Sequence, residues 1–198
     1  MGLCGSVAAL GGALLVAGAS AGEEGSATAV VEALHAQMIA AMKAAPDRSF
    51  AERFAALEDP IDRAFDLEFM AQRSLGSRYR ELSEAQRASW LDGFRRFTVA
   101  SHARRLTEYE GQRFETESEV PAARGGAIVR TRVVRADGES VPLGYRLRRT
   151  RRGWQIIDVY LNGVISELAI RRDEFSSFYK KEGIDALIAS VNRHAADE

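Results

Sequence analysis

The residues best equipped for chemistry in this chain are three histidines, one cysteine, and clusters of acids and arginines, and their spacing decides what each can do. His35, His102 and His194 lie far apart, and none has a partner four residues away to complete a metal pair on a helix face. Cys4 stands alone, so neither an intrachain disulfide nor a cysteine zinc site can form. A hydrolytic nucleophile would call for a G-x-S-x-G elbow, and nucleotide chemistry for a P-loop or G-x-G-x-x-G turn; the chain has none of these. No catalytic residue, metal site or cofactor is therefore expected, and the histidines read as hydrogen-bonded or exposed side chains. Glu58, Asp59 and Asp62 offer paired carboxylates, but they read as an acidic cluster at a helix start, where the helix dipole favours them.

Two further features ask for a partner. Asp158 interrupts the apolar run Trp154–Leu161, and a buried carboxylate must be paired or hydrogen-bonded. An Asp–Arg pair is the expected answer. The stretch 124–152 carries nine arginines and two acids, whereas 22–70 carries four bases and ten acids. The strand faces bearing Arg130, Arg132, Arg146 and Arg148 read either as solvated faces that resist edge pairing or as a surface for an acidic partner or an anionic membrane. Few aromatics lie among them, which argues against nucleic acid.

These residues are positioned by elements legible from the apolar period. Ser26 can cap a helix with Val30, Val31, Leu34, Met38, Ile39 and Met42 on one face, ending before Pro46. A second helix starts at Ser49, Pro60 is expected to restart it, and its apolar stripe runs to Gly76. Ser83-x-x-Gln86 is a capping box opening a long helix with Trp90, Leu91, Phe94 and Phe97 toward the core. The period then shortens to two. Strands are expected over 112–120, 127–135, 141–149 and 154–161, with turns at Asp137-Gly138 and Arg152-Gly153. Helices over about 164–181 and 184–195, parted by Gly183, close an α+β domain with a four-stranded antiparallel meander. The helices bearing Phe65, Phe69, Met70, Leu75, Tyr79, Trp90, Phe94 and Phe97 must pack on that meander. They can do so as a solid core or around an apolar cavity.

Composition agrees with a globular chain: 198 residues, 46% hydrophobic, 28% charged and a net charge of −1 exclude a disordered, collagen-like or multi-span membrane protein. A chain this long can bury roughly 70% of its unfolded surface without metal or disulfide staples. The apolar run from Val7 to Ala19, followed by Ala19-Ser20-Ala21 and the polar Gly22-Glu23-Glu24, reads as a secretory leader cleaved after Ala21, although no Lys or Arg precedes it. The run is too short to span a bilayer, which takes about 20 apolar residues. Residues 22–198 then form one domain without a thiol, as suits an oxidising compartment.

Two segments have recognisable wording. The first is Phe69-Met70-Ala71-Gln72-Arg73-Ser74-Leu75-Gly76-Ser77-Arg78-Tyr79-Arg80, with Leu82, Gln86-Arg87, Trp90 and Phe94 following. The second is Gly153-Trp154-Gln155-Ile156-Ile157-Asp158-Val159 through Asn162-Gly163-Val164-Ile165-Ser166, with Phe175 and Lys181-Glu182-Gly183-Ile184-Asp185-Ala186-Leu187-Ile188. Together they resemble the MlaC, or toluene-tolerance, family over nearly all of the chain after the leader. Between Gly163 and Phe175 the chain runs one residue longer than the usual pattern, and Glu167-Leu168-Ala169-Ile170-Arg171-Arg172 looks more like the hopanoid-associated HpnM branch.

The resemblance implies helices wrapped on a four-stranded twisted sheet, with a deep apolar pocket for acyl chains and the head group left in water. It implies a periplasmic carrier of phospholipid or a hopanoid-type lipid, and not an enzyme. The implied partners are an outer-membrane lipoprotein complex and an inner-membrane ABC transporter with an Mce-domain subunit. Placed on this chain, the pocket is expected between the helix residues Phe69, Leu75, Tyr79, Trp90, Phe94 and Phe97 and the sheet residues Val129, Val133, Leu143, Tyr145, Leu147 and Val159. Arg130, Arg132, Arg146 and Arg148 are then the docking residues. The alternative is a structural or scaffolding subunit of a membrane-lipid machinery whose pocket is filled by side chains. An enzyme acting on polyisoprenoid lipids stands third, because the chain lacks an acidic metal motif. N-terminal sequencing of the exported protein is expected to begin at Gly22; soluble cytoplasmic protein that still begins at Met1 would remove the leader from this reading.

Overall fold

The computed structural model describes residues 1 and 25–196, so the apolar run of the leader and its cleavage point lie outside the described residues. Ser26 accepts the Ala29 N–H at 3.0 Å and starts α1 (Ala27–Ala44), which turns its Val31, Leu34 and Met38 face onto the sheet. Helix α2 (Phe50–Ala64) opens on a reciprocal capping box between Ser49 and Glu52. The expected restart at Pro60 does not occur. Leu57 and Ile61 are anchored in the core on either side of it, and α2 runs through Pro60 to end where Phe65 turns extended. Asp66 then caps α3 (Leu67–Leu75) by accepting the Phe69 N–H at 3.1 Å. After a 3-10 turn, the Ser83–Gln86 box starts α4 (Glu84–Arg105).

Four long strands follow as a meander: β1 (Arg113–Ala122), β2 (Gly126–Val134), β3 (Ser140–Thr150) and β4 (Gly153–Leu161). The sheet has five strands, not the expected four, because the chain after Asn162-Gly163 folds back as a two-residue β5 (Ile165–Ser166) against Tyr160 and Leu161. So short a strand has no alternation to read. The opposite end of the β4 edge is covered by the α2–α3 link: Phe65 bridges Ile156, Asp66 donates its N–H to the Ile156 carbonyl at 2.9 Å, and Gln155 donates to the Phe65 carbonyl at 3.1 Å. Pairing and covering this edge removes a site for aggregation.

In β4 a bulge falls between Ile156, opposite Leu147, and Asp158, opposite Arg146. It places Ile156 and Val159 on the face that carries Tyr145 and Leu147, and Asp158 on the face that carries Arg146. The last helix, α5 (Glu167–Ala196), is two helical pieces joined at Gly183, whose φ of 82° lies in the left-handed region. It packs along α4, and at Gly93 the approach is so close that a Cβ would lie 2.9 Å from Val191 Cγ2. Trp90, fully buried, donates its indole N–H to the Ala71 carbonyl at 2.9 Å and meets Phe175 edge-on, tying α3, α4 and α5 together.

The acidic cluster is also placed differently. Glu58, Asp59 and Asp62 lie in the second half of α2, where the dipole does not favour them; Asp62 pairs with Arg95 of α4 and Asp59 with Arg63. Asp66 is the structural carboxylate of this region, since it caps α3 and accepts from Arg148 Nε at 2.6 Å while only 8% exposed. Asp66→Ala should therefore cost about 2–4 kcal/mol in urea unfolding. Asp59→Ala, in an exposed pair, should stay within about 0.5 kcal/mol; equal losses in the two variants would deny Asp66 this role.

Candidate functional site: an apolar cavity beneath helices α4 and α5

A narrow cavity of about 40 Å³ lies between the inner face of β4 and the helices above it. Its walls are Phe65 of the link, Met70 of α3, Phe94, Phe97 and Thr98 of α4, Val159 of β4 and Leu168 of α5, with Ser101, His102, Glu167 and Arg171 at one end. The helical period of α4 presents Phe94, Phe97, Thr98 and Ser101 on adjacent turns of one face. Thr98 and Ser101 return their hydroxyls to the Phe94 and Phe97 carbonyls at 2.8 Å each, so they leave this wall largely apolar. The polar end is closed by ion pairs, with Glu167 accepting from Arg105 at 3.1 Å and Arg171 pairing with Glu174 at 2.8 Å while its guanidinium lies over the Phe97 ring.

One histidine, His102, borders this cavity, and a second, His35, is buried away from it between α1 and the sheet. Burial lowers the pKa of His102, whose Nδ1 lies 2.8 Å from the Thr98 carbonyl and must be the donor there. His35 stacks on Phe114 at 3.9 Å, its Nε2 lies 2.9 Å from the Tyr145 hydroxyl, and burial pushes its pKa down to about 4. Burial also raises the Tyr145 phenol. Among the described residues, no group of three or more acids, histidines or cysteines is placed to hold a metal ion.

The residues expected to form the pocket are dispersed. Phe94, Phe97 and Val159 line the cavity. Leu75, Trp90, Val129, Tyr145 and Leu147 are at most 3% exposed within the solid core. Leu143 lines a separate depression beside Gly144 and Tyr160, Val133 sits opposite Phe114 and Val141 toward the far end of the sheet, and Tyr79 lies in the 3-10 turn near the Arg87 guanidinium. Phe69 faces a second hollow, about 480 Å³, on the other side of the β4 edge, together with Arg73, Arg124, Arg146, Asp158, Leu168 and Arg172. Leu168 and Arg171 escaped the reading because α5 shows which side it turns to the cavity only once it has docked.

The arginines differ among themselves too. Arg132 is held by Glu115 and Glu117, and hydrogen bonds from Arg132 and Arg113 keep the Glu115 carboxyl below its usual range. Arg148 is held by Asp66 and lies 4.2 Å over the Phe69 ring. Arg130 and Arg146 form no ion pair among the described residues. The expected Asp158–Arg pair does not close to an ion-pair contact, although Arg146, directly opposite across the β3–β4 ladder, acts on the carboxylate electrostatically. Asp158 instead accepts from the Ser166 hydroxyl at 2.7 Å and the Leu168 N–H at 3.1 Å, which fastens the start of α5 to β4; burial raises its pKa against those bonds.

Fold and cavity together define an α+β domain whose helices enclose an apolar cavity against an antiparallel sheet. The family model "MlaC protein" matches residues 32–193, and the chain belongs to that family. Among curated proteins it is similar to the intermembrane phospholipid transport system binding protein MlaC of Haemophilus influenzae, at 27% identity over 135 residues. That match covers 66% of this chain and 63% of the relative's length. Among solved structures it shares the fold of a phospholipid-binding protein from Ralstonia solanacearum determined in complex with a phospholipid, with a TM-score of 0.74 at 22% identity over 86% of this chain and 97% of that one.

The His35–Tyr145 pair makes a pH prediction. The folded pKa of about 4 lies below the ordinary 6.5, so between these values the unfolded chain binds more protons and stability rises with pH. The contribution is complete above pH 6.5 and is lost as pH falls toward about 4, by on the order of 2–3 kcal/mol. In His35→Gln this part of the loss should vanish from urea midpoints compared at pH 7.5 and 4.5; an identical acid loss in both proteins would refute it.

Proposed function

We propose that the protein is a periplasmic lipid carrier that holds phospholipid acyl chains in the cavity beneath α4 and α5. The observation that carries this reading is the apolar cavity wall built from Phe65, Met70, Phe94, Phe97, Val159 and Leu168 in a member of the MlaC family. The relative's phospholipid-transport name and the phospholipid bound to the structural neighbour support it. A carrier draws affinity from taking alkyl chain out of water, about 0.8 kcal/mol per CH₂, and needs no nucleophile. Among the described residues no helix is long and apolar enough to cross a membrane. The implied route runs between an outer-membrane complex and an inner-membrane ABC/Mce complex, with docking on the strand arginines, chiefly the exposed Arg130, which no acid of the described residues holds. A hopanoid-type lipid is a further cargo of the same chemistry.

The size of the cavity bears on mechanism. At about 40 Å³ it offers room for roughly three waters, whereas pockets for drug-sized ligands run to about 300–1,000 Å³. Chain entry therefore requires α4 and α5 to move away from β4, and a carrier of this kind opens as it loads. The same narrowness favours a second reading, a structural subunit whose pocket is closed by its own side chains.

Lipid extraction and mass spectrometry of protein purified from its native compartment separate the two. A carrier yields about one phospholipid per chain, and a structural subunit yields none. Val159→Phe, at the cavity wall, should lower co-purified lipid at least fivefold while costing about 1–3 kcal/mol of overpacking. Undiminished lipid in that variant would place the acyl chains elsewhere.

A further inference from the structure

The hollow on the other side of the β4 edge is lined by Arg73, Arg124, Arg146 and Arg172 and holds one carboxylate, Asp158. That carboxylate is engaged by the Ser166 hydroxyl and the Leu168 N–H. None of the four arginines makes an ion pair with a described acid, whereas neighbouring Arg148 and Arg171 both do. Arg146 acts electrostatically on Asp158 without an ion-pair contact, and Arg73, Arg124 and Arg172 have no ion-pair partner among the described residues, so the hollow holds more guanidinium charge than its one carboxylate offsets.

Two of them are also packed against neighbours. Arg73 lies 5.0 Å over the Phe69 ring, and Arg172 packs so closely on Gly76 that a Cβ there would sit 2.9 Å from its Nη2. Arg146 stands opposite Asp158 across the β3–β4 ladder, and Arg124 is presented from the β1–β2 connection with φ of 61°. Guanidinium groups gathered around one concavity suit the tetrahedral, multiply charged oxygens of a phosphoryl group, which arginine recognises through paired N–H donors.

The two hollows adjoin. Leu168 lines both, and neighbouring residues divide between them, with Met70 and Val159 on the cavity side and Phe69 and Asp158 on the arginine side. We propose that this arginine hollow is a phosphate subsite that binds the phosphoryl group of a lipid whose chains occupy the adjoining cavity. It selects phosphate-bearing lipids over neutral lipids with the same chains. The inference rests on the lipid-carrier reading above and adds a head-group contact to it; the hollow is open to solvent, so the rest of the head group stays in water.

The test equilibrates purified protein with detergent-solubilised dioleoyl-phosphatidylglycerol, with dioleoylglycerol, or with inorganic phosphate. The wild type should retain phosphatidylglycerol at least tenfold better than dioleoylglycerol. The double variant Arg146→Gln/Arg172→Gln should lose at least fivefold of phosphatidylglycerol retention with dioleoylglycerol retention unchanged. Arg124→Gly, which suits the positive φ and leaves the fold unstrained, should lose about twofold, and urea midpoints confirm folding. Equal retention of the two lipids by the wild type, or phosphatidylglycerol retention indifferent to both variants, overturns the subsite and leaves the carrier standing. If neither lipid is retained but phosphorus NMR shows inorganic phosphate bound in an arginine-dependent way, the anion site stands and the carrier reading falls. Binding of neither lipid nor phosphate refutes both.

Discussion

The arrangement of this protein depends on how the edge of β4 is closed. Three separate pieces of chain are tied to that edge: the Phe65-Asp66 link, β5, and the first turn of α5 through Asp158. Asp66 joins them to the neighbouring strand, because one carboxylate caps α3 and holds Arg148 of β3. A free strand edge is a hazard, and here its closure also sets the entry angles of α3 and α5, the two helices whose first turns separate the cavity from the arginine hollow. The site is in this sense a by-product of edge protection.

Once these helices are anchored, the division of labour among aromatic side chains follows. Trp90 and Phe175 fill the junction of α3, α4 and α5, and the Trp90 N–H is satisfied by a backbone carbonyl. Phe94 and Phe97, one turn further along α4, reach past that junction to the less crowded space over β4. Rigid packing thus gives way to a yielding layer along a single helix. A binding wall that must move is drawn from the less densely packed part of a fold, and the polar end near Glu167 and Arg171, held by partly exposed ion pairs, is fastened more weakly than a buried aromatic junction.

Much of the architecture was legible in the sequence because it is written in local signals. Ser26, Ser49 and the Ser83–Gln86 box start helices where their side chains can cap, and the change of period from 3.6 to 2 after Leu106 marks the meander. What escaped was settled by contacts distant in sequence. Pro60 looks like a helix start but is carried along by buried Leu57 and Ile61. Arg148 finds Asp66 eighty-two positions away, so its alternation with Arg146 could not tell an arginine held in an ion pair from one that is not. Leu147 and Val159 have equal claims to a pocket by residue type. Only packing makes the first solid core and the second a cavity wall.

The bulge in β4 has a consequence for how this gene can vary. Because Ile157 is an extra residue that the bulge absorbs, Asp158 stays opposite Arg146 and Val159 opposite Tyr145, and the cavity and the arginine hollow keep their proper sides. Loss of the Ile157 codon would remove the bulge and leave Ile156, Asp158 and Val159 on the faces they already hold. One more residue before Asp158, with no second bulge to absorb it, would instead exchange the two faces, sending Asp158 toward the apolar side and Val159 toward the arginines. That short stretch is therefore open to replacement and to loss of its extra residue but closed to insertion, while the connection around Asp137-Gly138, exposed and tied to neither hollow, is free to change length.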